Sequence, residues 1–566
     1  MRGIFIGCLI FLSACNGVEE KSSISDLSYT LTPIFSDVEN RLNVEVAFTG
    51  DMDGETTIRV GARWKRDENA GKRFRNLSVS GQNAIFPTEI NQPLLSISHA
   101  PGAELKLTYT LSSEDMDDAM QTIEYFYVPV LQRDVFHLIG STSLIVPRWD
   151  DEEAIFNIDV KWANLPEGWS HVDTLPDRPV RPQEIGSQIL AITPSDSISV
   201  VGDTYKLTVL KAGEHDFDRG TFQAEMAKIY EGLNTLWQAD DPKFLVTLLG
   251  APDYASYSSF TGTGRFNSFA SAASKDIDFE FLSQFLAHEV AHHWMPNQLG
   301  IWPGCQDGET CPPRISWFSE GFTDFVMTRA MLSEGRWTQD DLLAYTNLYL
   351  RNYYMSPAKT AKAQKIDELF WEDYEHEKQP YWRGFLLAMN WDKEIRQHSG
   401  ETSSAMDVLQ AMYETAKTAQ ENNQPELTSE YIAQNFSSNT DRDLFKDVEK
   451  YYYMGEVLKP HPEMFAGCAT LNIVPVSTYD VGFDVESTFS SGVISGVVLD
   501  HNAAKAGLRD GQAFVNKVSG GGGDTTIPLV LTVNDNAKPM TISYLPISGD
   551  YVQVPQFEKT NSCNTE

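Results

Sequence analysis

Apolar and polar positions alternate through the N-terminal part of the chain. Residues 43–48 (Asn-Val-Glu-Val-Ala-Phe), 105–110 (Leu-Lys-Leu-Thr-Tyr-Thr) and 158–162 (Ile-Asp-Val-Lys-Trp) each repeat every second residue, the period of a strand with one buried face. Gly, Asp and Asn punctuate the intervals, so residues 27–175 are expected to form an antiparallel β domain. Pro176, Pro179 and Pro182 mark its end. Beyond them, residues 205–210 read as a strand, 222–237 as a helix and 244–249 (Phe-Leu-Val-Thr-Leu-Leu) as a buried strand. Helical spacing then dominates from residue 281 to about residue 464. Strand alternation and glycine return near Cys468, and the glycines at 520–523 read as a flexible turn. The pattern implies a multidomain α+β chain: a β domain over 27–175, a mostly helical domain over 176–465 and a β domain over 466–566.

Composition adds compartment and partner class. The 566 residues are 42% hydrophobic and 22% charged, which suits a folded chain of several domains. Against 44 basic residues stand 79 acidic ones, a net charge of −35. Such a surface repels a phosphate backbone, so nucleic acid is excluded as a partner. At the N-terminus, Arg2 precedes an apolar run over 3–12 that is too short to span a bilayer. Leu12-Ser13-Ala14-Cys15 follows and resembles the lipobox of bacterial lipoproteins. That resemblance implies a signal peptide over 1–14, a lipid on Cys15 and a polar tether over 15–26. Each buried methylene of the lipid would add about 0.8 kcal/mol of anchoring. The expected location is the bacterial cell envelope, and Asn16, standing where aspartate retains many such proteins at the inner membrane, favours the outer membrane. Besides Cys8 and Cys15 there are Cys305, Cys311, Cys468 and Cys563, an even number that suggests disulfides in an exported protein. Cys305 and Cys311 share a short polar loop, which leaves Cys468 and Cys563 to bracket the C-terminal region.

The chemistry concentrates in residues 285–294, Phe-Leu-Ala-His-Glu-Val-Ala-His-His-Trp. Histidines four apart share one helical face, so His288 and His292 can hold one divalent ion through their ring nitrogens. Glu289 lies next along the turn, where it can act as base toward an attacking water. A catalytic zinc site needs a third protein ligand and an open position. Residues 317–325, Trp-Phe-Ser-Glu-Gly-Phe-Thr-Asp-Phe, offer Glu320 as that ligand, with Asp324 one turn further on the same face. Two imidazoles and a carboxylate suit a single Zn2+. Residues 293–319 lie between His292 and Glu320, and the loop with Cys305 and Cys311 falls among them. Tyr381 heads an apolar helix, residues 380–388. Its spacing alone describes a core aromatic, although a tyrosine facing a zinc cleft can also donate to an oxyanion.

Together, residues 288–294, 317–325 and 381–396 (Tyr-Trp-Arg-Gly-Phe-Leu-Leu-Ala-Met-Asn-Trp-Asp-Lys-Glu-Ile-Arg) resemble the glycyl aminopeptidase family of zinc peptidases, relatives of the alanyl aminopeptidases. Residues 136–140 and 165–169 are similar to that family's N-terminal β domain. Residues 503–512 (Ala-Ala-Lys-Ala-Gly-Leu-Arg-Asp-Gly-Gln) are similar to a PDZ domain, with the peptide-groove strand expected within 477–496. The resemblance implies a thermolysin-like catalytic domain between the two, with Tyr381 as hydrogen-bond donor in the transition state and Asp324 bonded to the first zinc histidine. The substrate would be a peptide or protein, and a second, C-terminal or extended, peptide would bind the PDZ-like domain. The chain departs from the family upstream of the zinc motif. There the aminopeptidases carry a glutamate for the substrate's amine, whereas Gly264, Arg265 and Asn267 occupy the corresponding stretch, 262–269, which contains no acid. Peptide hydrolysis is therefore the expected activity. Its alternatives are an aminopeptidase of the glycyl type and an inactive zinc-binding PDZ scaffold that presents peptides at the membrane.

Overall fold

The computed structural model describes residues 24–61, 73–85, 94–112, 127–151, 153–202, 206–239, 243–251, 260–265, 267–301, 315–419, 423–521, 523, 525–535 and 538–560. The chain divides into two compact units. One comprises the described residues within 1–115, 138–166 and 175–188, and the other those within 116–137, 167–174 and 189–566.

In the first unit the alternating segments become strands as their period requires. Among the described residues, one sheet has the order Phe156–Trp162, Ser25–Ile34, Arg41–Thr49, Glu104–Ser112, Arg75–Ser80. Leu27, Tyr29 and Leu31 are buried on one strand, Val44, Val46 and Phe48 on the next, and Leu105, Leu107 and Tyr109 on the third. Registry places Tyr29 opposite Val46 and Val46 opposite Leu107, so one apolar face runs across the sheet. The buried Tyr29 and Tyr109 hydroxyls donate to the carbonyls of Ile145 (2.9 Å) and Ser143 (3.0 Å), because an unpaired buried hydroxyl would be costly. The sheet is not wholly antiparallel as expected: Phe156–Trp162 runs parallel to Ser25–Ile34. The chain reaches that edge only after a second sheet, with the order Leu94–Ser98, Glu55–Val60, Ile145–Pro147, and so long a crossover permits parallel pairing.

The second unit opens with a mixed sheet in the order Ile198–Val201, Lys206–Lys211, Lys243–Gly250, Ser268–Ala273, Phe260–Arg265. Lys243–Gly250 has parallel neighbours on both sides, which explains its near-continuous apolar run. The antiparallel edge strand Phe260–Arg265 packs against the helix Phe279–Ala291, with the Phe260 and Phe285 rings 4.5 Å apart. Helices follow: Gly321–Ser333, Gln339–Met355, Gln379–Ser399, Ala405–Thr418 and Ser429–Ser437. None among the described residues is long and apolar enough to cross a membrane. Gly321 and Gly384 bring two of these helices into backbone contact. A Cβ on Gly384 would collide with the Trp317 carbonyl and lie 2.8 Å from the Gly321 Cα.

After residue 468 the antiparallel pair Ala469–Tyr479 and Ile547–Lys559 carries a small module. The module contains the sheet Ala513–Ser519, Leu529–Asp535, Lys538–Tyr544 and a core of its own that includes Ile494, Ala503, Leu508, Leu531, Val533 and Ile542. Within 477–496, the stretch expected to contain a groove strand, residues 477–479 end a strand, Val485–Ser491 is a helix capped by Asp484, and Val493 makes an antiparallel bridge to Ala513. Cys468 is disulfide-bonded. Cys15, Cys305, Cys311 and Cys563 lie outside the described residues.

Candidate metal centre and active site

The helix Phe279–Ala291 begins at Asp278, whose side chain accepts from the Phe281 N–H at 2.8 Å. Its apolar face (Leu282, Leu286, Val290) is buried, which fixes the rotation of the helix about its axis. That rotation aims His288, on the last full turn, and His292, at the C-cap, toward the same point. His288 Nδ1 lies 2.8 Å from Asp324 Oδ1, and His292 Nδ1 lies 2.8 Å from the Met295 carbonyl oxygen. Both partners are acceptors, so each imidazole donates from Nδ1 and turns its Nε2 toward the centre.

Glu320 enters from the next helix. It is the N-cap of Gly321–Ser333, and Asp324 follows in the first turn; both carboxylates thus sit at the positive end of that helix. Glu320 Oε2 lies 3.4 Å from His288 Nε2 and 3.5 Å from His292 Nε2, while the two Nε2 atoms are 3.1 Å apart. Ligands about 2.0–2.1 Å from a tetrahedral ion are separated by roughly 3.3–3.4 Å. The triangle has those dimensions. With both Nδ1 atoms committed to their acceptors, the two Nε2 atoms and a carboxylate oxygen converge on one point, which takes either a proton between imidazole and carboxylate or a metal cation in its place. His288, His292 and Glu320 therefore fit a single Zn2+, as the spacing of these residues predicted.

The electrostatics agree. Burial depresses the basicity of His288, but Asp324, Glu320 and Glu289 outweigh it and lift its pKa to about 10. His292 is also raised: burial opposes this, and Glu320 prevails. Burial works against ionisation of Glu320 too, yet the two imidazoles hold its carboxyl well below the usual range. The site thus stores carboxylate charge that draws in positive charge. Glu289 behaves differently. Burial pushes its carboxyl upward despite the neighbouring histidines, which suits a group that takes up and gives back a proton.

Tyr381, near the start of Gln379–Ser399, stacks on the His288 ring at 5.7 Å and 28°. Burial and the surrounding carboxylates raise its phenol far above the normal value, so it remains a hydrogen-bond donor. Two tyrosines that the sequence reading missed complete the centre. Tyr349 donates to Asp324 Oδ2 at 2.7 Å, and Tyr345 reaches Oδ1 at 3.4 Å and Tyr349 at 2.6 Å. Their signal was a pair of tyrosines one turn apart in Gln339–Met355. Gly264 and Arg265 end the edge strand Phe260–Arg265. Arg265 donates to the Gly264 carbonyl at 3.2 Å. Asn267, at φ 45°, forms a left-handed turn whose carbonyl accepts from Leu245 N at 3.0 Å.

No protein-family model and no curated protein matches the chain. Among solved structures, an aminopeptidase N family protein from Idiomarina loihiensis is similar over 93% of this chain and 97% of its own, with a TM-score of 0.61 and 13% identity. At that identity the likeness is one of fold. Yeast leukotriene A4 hydrolase in complex with bestatin is similar over 80% of this chain and 73% of its own, with a TM-score of 0.41 and 13% identity.

Proposed function

We propose that this chain is a zinc-dependent peptidase. The observation that carries the reading is the 3.1–3.5 Å triangle of His288, His292 and Glu320 with Glu289 and Tyr381 beside it. Zinc at that point supplies Lewis-acid polarisation and acidifies nearby water toward neutrality. Glu289 takes the proton of the attacking water and hands it to the departing amine. Tyr381 donates its hydroxyl hydrogen to the oxyanion that develops on the scissile carbonyl. Asp324, held by Tyr345 and Tyr349, keeps His288 in the tautomer the centre requires.

The test is metal analysis with cleavage profiling of a chain that begins after Cys15, on a mixed peptide library. Glu289→Gln is expected to keep its zinc and lose at least about a hundredfold in turnover. Undiminished activity in that variant would defeat the assignment. An inactive scaffold would bind zinc without cleaving any peptide; Glu289 and Tyr381 beside the triad favour catalysis. The edge strand Phe260–Arg265 carries no acid, so a free substrate amine lacks a counter-charge there. Cleavage of N-acetylated peptides as readily as free ones supports this, and a strict need for the amine restores the glycyl aminopeptidase reading.

The lipobox-like residues 12–15 support export to a bacterial cell envelope with a lipid on Cys15, and Asn16 favours the outer membrane as location. The module between Tyr479 and Ile547 supports a PDZ-like role in holding a peptide. Loss of array binding when residues 480–546 are removed is the expected outcome.

A further inference from the structure

Lys378 immediately precedes the helix that carries Tyr381, and the hydrogen bond assigned to Tyr381 makes no use of it. Its Nζ lies 4.4 Å from the centroid of the Tyr381 ring and 5.7 Å from that of Tyr374. Glu377 Oε1, 2.7 Å away, holds the ammonium from its other neighbour in sequence. The ring it covers is the one stacked on His288. A phenol hydroxyl moves with its ring, so contacts that fix the ring fix the donor. An ammonium against an aromatic face is attracted by the ring quadrupole and draws electron density from the phenol oxygen, which strengthens its O–H as a donor.

We infer that Lys378 is a positioning residue for Tyr381, aiming its hydroxyl at the developing oxyanion and strengthening that hydrogen bond. The inference rests on the peptidase reading of Tyr381. Because the interaction it improves forms only in the transition state, Lys378 acts on kcat and leaves KM alone.

The test uses zinc-loaded Lys378→Met, Lys378→Arg, Tyr381→Phe and the Lys378→Met/Tyr381→Phe double variant. The probes are a quenched fluorescent peptide chosen from the cleavage profile and a phosphinic peptide that mimics the tetrahedral state. Lys378→Met is expected to lower kcat about tenfold with KM within about twofold, and to weaken the phosphinic peptide in parallel. Its zinc content should match the wild type by elemental analysis. Arginine, which also stacks on aromatic faces, should restore most of the loss. In the Tyr381→Phe background the Lys378 substitution should cost nothing further. Equal losses in both backgrounds, a rise in KM in place of a fall in kcat, or an unaffected Lys378→Met beside an impaired Tyr381→Phe would each overturn the inference alone. Full turnover by Tyr381→Phe would overturn the reading of Tyr381 and this inference with it.

Discussion

Tyr349 spends its hydroxyl on Asp324 Oδ2 at 2.7 Å, whereas Tyr345 donates chiefly to the Tyr349 oxygen at 2.6 Å and lies a long 3.4 Å from Asp324 Oδ1. Tyr349→Phe should therefore be the more damaging of the two substitutions. It leaves Asp324 Oδ2 without its short donor and loosens the grip on His288 Nδ1. Zinc affinity is expected to fall about ten- to a hundredfold, with a smaller effect from Tyr345→Phe; competition against a chelator of known strength measures both. The histidine ligands were legible because two histidines four apart share one helical face, and Glu320 because a catalytic zinc needs a third protein ligand. The tyrosines were not. A helix tyrosine is equally at home in a core, and its hydroxyl's partner lies 25 residues away in sequence, where periodicity carries no information. Gly264, Arg265 and Asn267 stand at the other extreme: an αL asparagine at a strand end is turn chemistry, and the missing acid on that strand was readable residue by residue.

Helix contact sets the geometry between ligands and donor. Gly321 follows Glu320, and Gly384 follows Tyr381 by three positions, so the place where the two backbones touch lies beside both functional side chains. Gly384→Ala forces a methyl into the Trp317 carbonyl and must push the helices apart. Overpacking of this kind costs about 1–3 kcal/mol, and here it also shifts Glu320 relative to Tyr381. The expected outcome is a lowered melting temperature together with a fall in kcat that cooling the assay does not recover. Buried Arg383, between Tyr381 and Gly384, bonds to Gln379 Oε1 and to the carbonyls of Ala358, Ala361 and Tyr451, tying the same helix turn to one loop and to the π-helix Val448–Tyr453. At this scale the alternating strands and the helical run were legible, since each obeys a local period. Two features were not. The parallel pairing of Phe156–Trp162 depends on a crossover, not on the strand's own pattern. The helix Val485–Ser491 lies inside the stretch expected to contain a groove strand; Asp484 accepts from the Ser487 N–H and starts a turn that the apolar spacing of the segment did not announce.

The C-terminal region divides by its contacts into a part that belongs to the core of the helices and a part that does not. Phe557, on the last strand, packs in the same core as the helices, its ring 5.0 Å from Phe465. The Asn347 side chain pairs with the Phe557 backbone in both directions, at 2.9 and 2.8 Å, and Gln556 donates to the Asn347 carbonyl. Asn347 lies between Tyr345 and Tyr349 on the helix that steadies Asp324. A chain ending at residue 465 would strip those partners away and expose the apolar surface that Phe557 covers, so it is expected to melt lower and to bind zinc more weakly than the intact protein. The module between the two strands is different. It has its own core, and its roots are adjacent, since Tyr479 pairs directly with Ile547. Replacing residues 480–546 with a two-residue Asn-Gly turn would close the strand pair into a hairpin without disturbing Phe557 or Asn347. That shortened chain should keep its zinc and cleave short peptides at a rate within about threefold of the full chain, a difference of less than 1 kcal/mol in the barrier. Loss of zinc on excising the module, measured by elemental analysis, would show that the centre depends on more of the C-terminal region than its last strand.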